Sequence, residues 1–383
     1  MKTKQLRQIR WIGTLAIALL LAGCGAPATA PPIIPPTIEI EDTATLPPTP
    51  IPSPSVTAEP TEIPYPFGVG TSLPSLTEEI SSDNVENIIE VGRWDLGAVR
   101  TFTFAPDGKG LLIGTTNGKL VLVGLSDGEL LQSLEGHTKS VSSLAYSADG
   151  QFIISGSLDQ TVRVWNASDG SVLNVLEGHE DGVTSVAISQ DGQTIASGST
   201  DNTIRIWNFS DGQLLKTLKG DFIGATSLSF SADGLNLASG GADDTARVWD
   251  VVNGVQLQKF AYKPISGGET YSVQVGYSPD GMLLAGRHSY TGFLTLYNAG
   301  DYSEVVTLSI PGLKNSDFVF SPDGQMLIAG AKDSGLNFVD IKDGAALKRI
   351  ELGNIKCVSI SPDGTLVAVM GDDYFVHIWG LKS

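Results

Sequence analysis

The sequence predicts an all-β protein built from seven copies of one four-stranded antiparallel unit. An Asp-Gly pair recurs at Asp107-Gly108, Asp149-Gly150, Asp191-Gly192, Asp233-Gly234, Asp280-Gly281, Asp323-Gly324 and Asp363-Gly364, at intervals of 42, 42, 42, 47, 43 and 40 residues. A period near forty marks a supersecondary unit that buries its apolar face only by stacking on copies of itself. Between the pairs lie short alternating runs such as Val162-Arg163-Val164-Trp165 and Ile204-Arg205-Ile206-Trp207, and no long helical period. The chain of 383 residues therefore reads as one repeat domain with a leading tail, not as several domains.

The tail opens with a secretion signal over residues 1–23. Lys2, Lys4, Arg7 and Arg10 form a basic region, Trp11 to Leu21 an apolar core, and Leu21-Ala22-Gly23-Cys24 a small-residue exit. The apolar run is too short for a comfortable permanent span. The segment resembles a bacterial lipoprotein signal, with Leu21 to Gly23 matching the lipobox and Cys24 the cysteine acylated after cleavage. That resemblance implies a membrane anchor, because each buried acyl methylene contributes about 0.8 kcal/mol. One other cysteine exists, Cys357, so no intramolecular disulfide forms once Cys24 is lipidated. Alternation in Ile355-Lys356-Cys357-Val358-Ser359-Ile360 predicts a buried, unreactive thiol.

Loss of the signal takes the formal charge from −18 to −22, with 20 Lys and Arg left against 42 Asp and Glu. An acidic body of this kind repels nucleic acid and anionic headgroups, which excludes nucleic-acid binding from the reading and leaves the acyl chains as the only membrane contact. Residues 24–80 form a disordered Pro/Thr-rich tether: 14 of the 20 prolines fall between Gly25 and Leu76, and no Lys or Arg occurs between Arg10 and Arg93. Such a segment is extended, at about 3.1 Å per residue where it is stiff, and lifts the repeat domain off the membrane.

The repeats occupy residues 81–383. In the second, Val141 to Ser147, Gln151 to Gly156, Thr161 to Asn166 and Ser171 to Leu176 read as strands joined by Asp149-Gly150, Leu158 to Gln160 and Asp169-Gly170. Within this unit Gly136-His137, Ser155-Gly156-Ser157, Asp159 and Val164-Trp165-Asn166 resemble the WD-repeat β-propeller. Gly178-His179, Ser197, Asp201 and Trp207-Asn208 repeat the pattern; the fourth unit keeps Ser239, Asp243 and Trp249-Asp250, with Asp221 in place of the histidine. The likeness fades in unit one, in unit five with Tyr297 for the tryptophan, and in units six and seven. It implies a seven-bladed β-propeller with blades near 93–134, 135–176, 177–218, 219–260, 261–308, 309–350 and 351–380. The last unit lacks a fourth strand, and Val85 to Val91 aligns with the outer strands, so this N-terminal strand, over 85–91, is expected to close the seventh blade and leave no sheet edge free.

His137, Ser155, Asp159 and Trp165, like His179, Ser197, Asp201 and Trp207, carry the residue types of a serine hydrolase. The family resemblance instead implies structural hydrogen-bonded chains from Asp through His and Ser to Trp, and Ser239, Asp243 and Trp249 a partial one. No residue is assigned to catalysis. His137, His179, His288 and His377 lie in different units without ligand spacing, so no metal and no cofactor is expected. The intervals of 47 and 43 mark irregular loops, Ala261 to Gly268 and Gly286 to Gly292. By the resemblance both open on the top face, where Tyr262, Lys263, Arg287, His288 and Tyr290 would form a candidate binding cluster of the side chains favoured at interfaces. The expected function is a membrane-anchored, extracytoplasmic, monomeric propeller that scaffolds protein partners through its top face. The alternatives are a small-molecule or glycan binding module at the channel mouth and, behind that, a propeller hydrolase or lyase.

Overall fold

The computed structural model describes residues 73–381 apart from 75, 127, 221–223, 263–271, 289–291, 311, 314–316, 333–334 and the side chain of His288. The signal segment, Cys24 and the tether to residue 72 lie outside the described residues. Seven four-stranded antiparallel sheets form a ring, each running from an inner first strand to an outer fourth. Blade two is typical, with strands Val141–Tyr146, Phe152–Ser157, Val162–Asn166 and Val172–Leu176. Asp-Gly turns join first to second strands: Ser147 Oγ donates to Asp149 Oδ1 at 2.6 Å, Gln151 N donates to the same oxygen at 3.0 Å, and Gly150 sits at φ 71°. That left-handed angle is why glycine follows the aspartate at every repeat.

Blade seven is completed out of sequence. Its fourth strand is Ile88–Trp94, which pairs antiparallel with Val376–Leu381 from Ile88 opposite Leu381 to Trp94 opposite Val376. The closing strand thus starts later than residue 85. Val85–Asn87 form a 3-10 turn instead, since Asn84 Oδ1 accepts from Ser81 N at 2.8 Å and Val85 N donates to Ser81 O at 3.0 Å, curling the chain before it can extend. Contacts with the ring begin before residue 81 as well. Leu73 and Ile80 are buried, and Ile80 N donates to Gly364 O at 3.0 Å, so the last residues assigned to the tether lie against the blades.

The apolar packing is divided among the blades. Each pair of adjacent blades encloses its own slab: Ile154, Val162, Val164, Leu176, Val183, Val186, Ile195 and Trp207 fill the space between blades two and three. The slab between seven and one takes Val91, Trp94, Val99, Phe102, Leu111, Ile378 and their neighbours, so the closing strand is part of the packing. The slabs cover the inner strands of each sheet on both faces, whereas outer strands such as Leu130–Leu134 and Val172–Leu176 are mostly exposed. Second strands such as Leu366–Gly371 are buried at all six positions, while the polar members of the third strands of blades two and three, Arg163 and Arg205, are half-buried. The guanidinium of Arg163 lies 5.9 Å from the Trp165 ring and that of Arg205 5.8 Å from the Trp207 ring. The alternation of these strands is kept, with Arg163 and Arg205 half-buried between fully buried apolar neighbours.

Candidate functional site

In blades two and three the polar chains close fully. His137 Nδ1 is 2.9 Å from Asp159 Oδ2, His137 Nε2 is 2.7 Å from Ser155 Oγ, and Trp165 Nε1 donates to Ser155 Oγ at 2.8 Å. The same three distances in blade three are 2.8, 2.7 and 2.8 Å for Asp201, His179, Ser197 and Trp207. Because the serine accepts from the indole, it donates its own hydroxyl proton to Nε2 of the imidazole, whose single N–H, on Nδ1, donates to the carboxylate. Burial by itself would raise the Asp159 carboxyl, but the bonds from His137, Thr161 and the Thr138 amide outweigh it and hold the group well below the usual carboxylate range; Asp201 is lowered by the corresponding set. Burial pulls the His179 imidazole below its ordinary value despite Asp201. The distances would suit a hydrolase, yet Ser155 and Ser197 are wholly buried with both hydroxyl roles occupied. They brace the second and third strands to the chain that enters each blade.

Blade four departs from this arrangement. Ser239 still accepts from Trp249 Nε1 at 2.8 Å, whereas Asp243 takes Arg247 Nη2 at 2.7 Å. Arg247 occupies the strand position of Arg163 and Arg205 but turns to the aspartate, standing in for the absent histidine; Asp221 lies outside the described residues. In blade five Gly286 takes the serine position, and Tyr262 puts its hydroxyl where that side chain would have been, 3.4 Å from the hydroxyl of Tyr297. Burial pushes the Tyr262 phenol well above its ordinary value. In blade seven Val369 holds the serine position, and Trp379 Nε1 is buried without a hydrogen-bond partner among the described residues. There the third strand carries His377 where earlier blades carry arginine: its Nδ1 lies 2.8 Å from Glu90 Oε1 on the closing strand and its Nε2 2.8 Å from Asp373 Oδ2. Arg93 Nε donates to the same Glu90 at 3.0 Å.

Of the five residues expected to cluster on the top face, the structure describes the side chains of two, Tyr262 and Arg287. Tyr262 fills the vacated serine site of blade five. Arg287 is 4% exposed and belongs to the wall of the central channel. Lys263, Tyr290 and the side chain of His288 lie outside the described residues. Cys357 is half-buried against the channel, its thiol pushed up to about 12 by burial and by Asp317. The bulge beside it shifts the alternation that predicted full burial.

What sequence reasoning missed is which residues build the channel mouth. A cavity of about 710 Å³ is ringed by the starts of the inner strands, from Arg100 and Thr101 through Ser143, Ser185, Ser227 and Gln274 to Asp317 and Cys357. Hydroxyls stitch its wall from blade to blade. Ser142 Oγ reaches Val183 O at 2.5 Å, Thr184 Oγ1 reaches Ala225 O at 2.5 Å, and Thr226 Oγ1 reaches Val273 O at 3.1 Å. The signal was present as a hydroxyl residue recurring at Ser142, Thr184 and Thr226, but a lone hydroxyl in a strand carries no obvious meaning. Tyr374 stands over the rim at φ 64°, an angle uncommon for an aromatic residue, with Lys356 Nζ 4.7 Å above its ring.

The family described as WD domain, G-beta repeat matches this chain at residues 128–166, 170–208, 212–250 and 348–380. The protein is thus a seven-bladed β-propeller carrying WD40 repeats. Each match begins at an outer strand and ends at the third strand of the next blade, so a sequence repeat ties two blades together and the ring needs a strand from elsewhere to finish. The chain is 31% identical over 98 residues to WD repeat and SOCS box-containing protein 1 of Xenopus tropicalis, covering 24% of this chain and 21% of that protein. It is 29% identical over 105 residues to the serine-threonine kinase receptor-associated protein of Gallus gallus, covering 27% and 29%. The chain therefore spans less than a third of either relative's length.

Proposed function

We propose that this protein is a lipid-anchored, extracytoplasmic scaffold that binds protein partners on the top face of its propeller. The observation that carries the reading is the ring itself: a closed, internally braced platform whose second-to-third-strand turns project from rigid blades. Loops held on such a scaffold make a broad binding surface at little ordering cost. The WD40 repeats support it, since propellers of this class are typical protein-interaction scaffolds, and one relative's name records association with a receptor kinase. Serine, histidine and aspartate in the hydrolase-like sets are buried and mutually occupied, which favours binding over chemistry. Basic residues Lys2 to Arg10, the apolar run and Leu21-Ala22-Gly23-Cys24 support the anchor, and the proline-rich stretch supports a stalk.

The anchor is tested by Cys24→Ser in the full chain, followed by fractionation. The proposal expects the protein to leave the membrane fraction; retention at the parental level would contradict it. Partner binding is tested by crosslinking the full chain in intact cells, followed by mass spectrometry, where a discrete polypeptide is the expected product. Recovery of a bound small molecule with no polypeptide would favour the channel-mouth reading instead.

A further inference from the structure

At one site in each of blades one to four the second strand faces the inner strand of the next blade, and the space is almost nil. A Cβ on Gly114 would stand 2.8 Å from Val141 Cγ1, on Gly156 2.7 Å from Val183 Cγ1, and on Gly198 2.7 Å from Ala225 Cβ; on Gly240 it would strike the Val273 carbonyl. Register puts Arg287 at this same place in blade five: Gln274 pairs with Arg287 as Ser143 pairs with Gly156 and Ser227 with Gly240. An arginine thus occupies a position that admits only glycine in four sister blades. The blade has changed to take it. Blades one to four carry a bulge between first and second strands here, and blade five runs through without one.

The arginine is built in, not left over. Its Nε donates to Gln274 Oε1 at 3.3 Å, and Gln274 Nε2 in turn donates to Asp317 Oδ1 on the first segment of blade six. Asp317 makes no ion pair with Arg287 within 4 Å among the described residues. Nη1 of Arg287 has no hydrogen-bond partner among the described residues, although the residue is only 4% exposed, and the side chain lines the channel cavity. Burial lowers the guanidinium to about 10, which leaves it charged at neutral pH, and raises the Asp317 carboxyl to about 6. Arg100 lines the same cavity, exposed and without an ion pair among the described residues, while Lys356 is engaged by Asp372 at 2.9 Å. Thr101, Thr116 and Ser185 add hydroxyls with no side-chain hydrogen bond among the described residues. In a chain of net charge −18 this mouth sets three cationic residues, Arg100, Arg287 and Lys356, against one carboxyl, Asp317, with hydroxyls around an unsatisfied guanidinium N–H.

We infer that the channel mouth is a binding site for a small hydroxylated carboxylate, of the size and chemistry of a sugar acid, with Arg287 as its buried anchor and Arg100 as a second cationic contact. A planar carboxylate matches the free edge of a guanidinium, the hydroxyl rim suits a polyol body, and the cavity volume lies within the range of small-molecule sites. This inference stands on the blade-five geometry and is independent of the scaffold reading.

The test is isothermal titration of the full chain with D-glucuronate and, as the neutral match, D-glucose. Saturable glucuronate binding is expected, with glucose about tenfold weaker or worse. Arg287→Gly, which restores the residue of the sister blades, should weaken glucuronate about tenfold or more, and Arg100→Ala several-fold. Should the first variant lose its native circular dichroism, the second, at an exposed position, decides alone. No binding of glucuronate, equal binding of glucuronate and glucose, or unchanged affinity in a folded variant overturns the assignment.

Discussion

Ser155 shows how one residue type is fixed by its neighbours. It receives the Trp165 indole proton and gives its own to His137, so Ser155→Ala strands two buried polar groups at once. We expect that substitution to lower stability by about 1–3 kcal/mol in urea unfolding, and Ser239→Ala, whose blade uses Arg247 and Asp243 instead, to cost less. Titration at single residues gives a second expectation. Asp159, Asp201 and Asp243 are lowered in the folded state, so the stability they contribute is full above the unfolded carboxylate range near 4 and is lost as pH falls through their folded values. The lowered His179 acts in the same direction, since the unfolded chain takes its proton first on acidification. Asp317 has the opposite sign: raised to about 6, it contributes stability below about 4 that is lost as pH rises through 6. Asp317→Asn should therefore gain on the parent in urea midpoint between pH 5 and pH 7. An equal difference at both pH values would show that the carboxyl does not titrate there.

At the scale of strands and turns, much was legible. Asp-Gly turns locate every first-to-second connection because the carboxylate caps the turn and only glycine takes its left-handed angle cheaply. The Gly-His, Ser and Trp positions located the braces of blades two and three. Blade five was harder to read, because no local pattern says that Gly286 vacates a serine site for the Tyr262 hydroxyl 24 residues earlier. Arg287 looked like a loop residue near an insertion, and only strand register reveals that it stands where glycine is otherwise required. The closing strand was legible as an unpaired outer strand, but its start was not, since the Ser81–Asn84 hydrogen bond sets it. Closure joins Glu90 and Arg93 to His377 and seats Trp94 in the slab between blades seven and one. Deleting the chain through Trp94 should abolish cooperative unfolding when followed by circular dichroism; a truncated protein as stable and as cooperative as the parent would contradict closure.

The whole molecule combines a repeat-built ring with a specialised arc. Blades two and three are nearly interchangeable in bracing, blade four keeps the serine–tryptophan half of it, and the three serve as frame. Blades five to seven hold the substitutions that the regular pattern forbids, and Arg287 and Tyr374 among them face the channel and its rim. A ring whose ends meet moves as one platform, so partners meet a fixed array of loops. Leu158 and Tyr374 lie in second-to-third-strand turns around the channel mouth, while Leu235 and Met282 lie in Asp-Gly turns at the opposite strand ends, and all four are exposed. A photoreactive residue introduced singly at each position in the full chain, and irradiated in intact cells, tests the central claim directly. The account predicts one discrete polypeptide adduct, in the membrane fraction, from positions 158 and 374 and none from 235 and 282. Adducts equal from both faces, or none from the top positions, would contradict it.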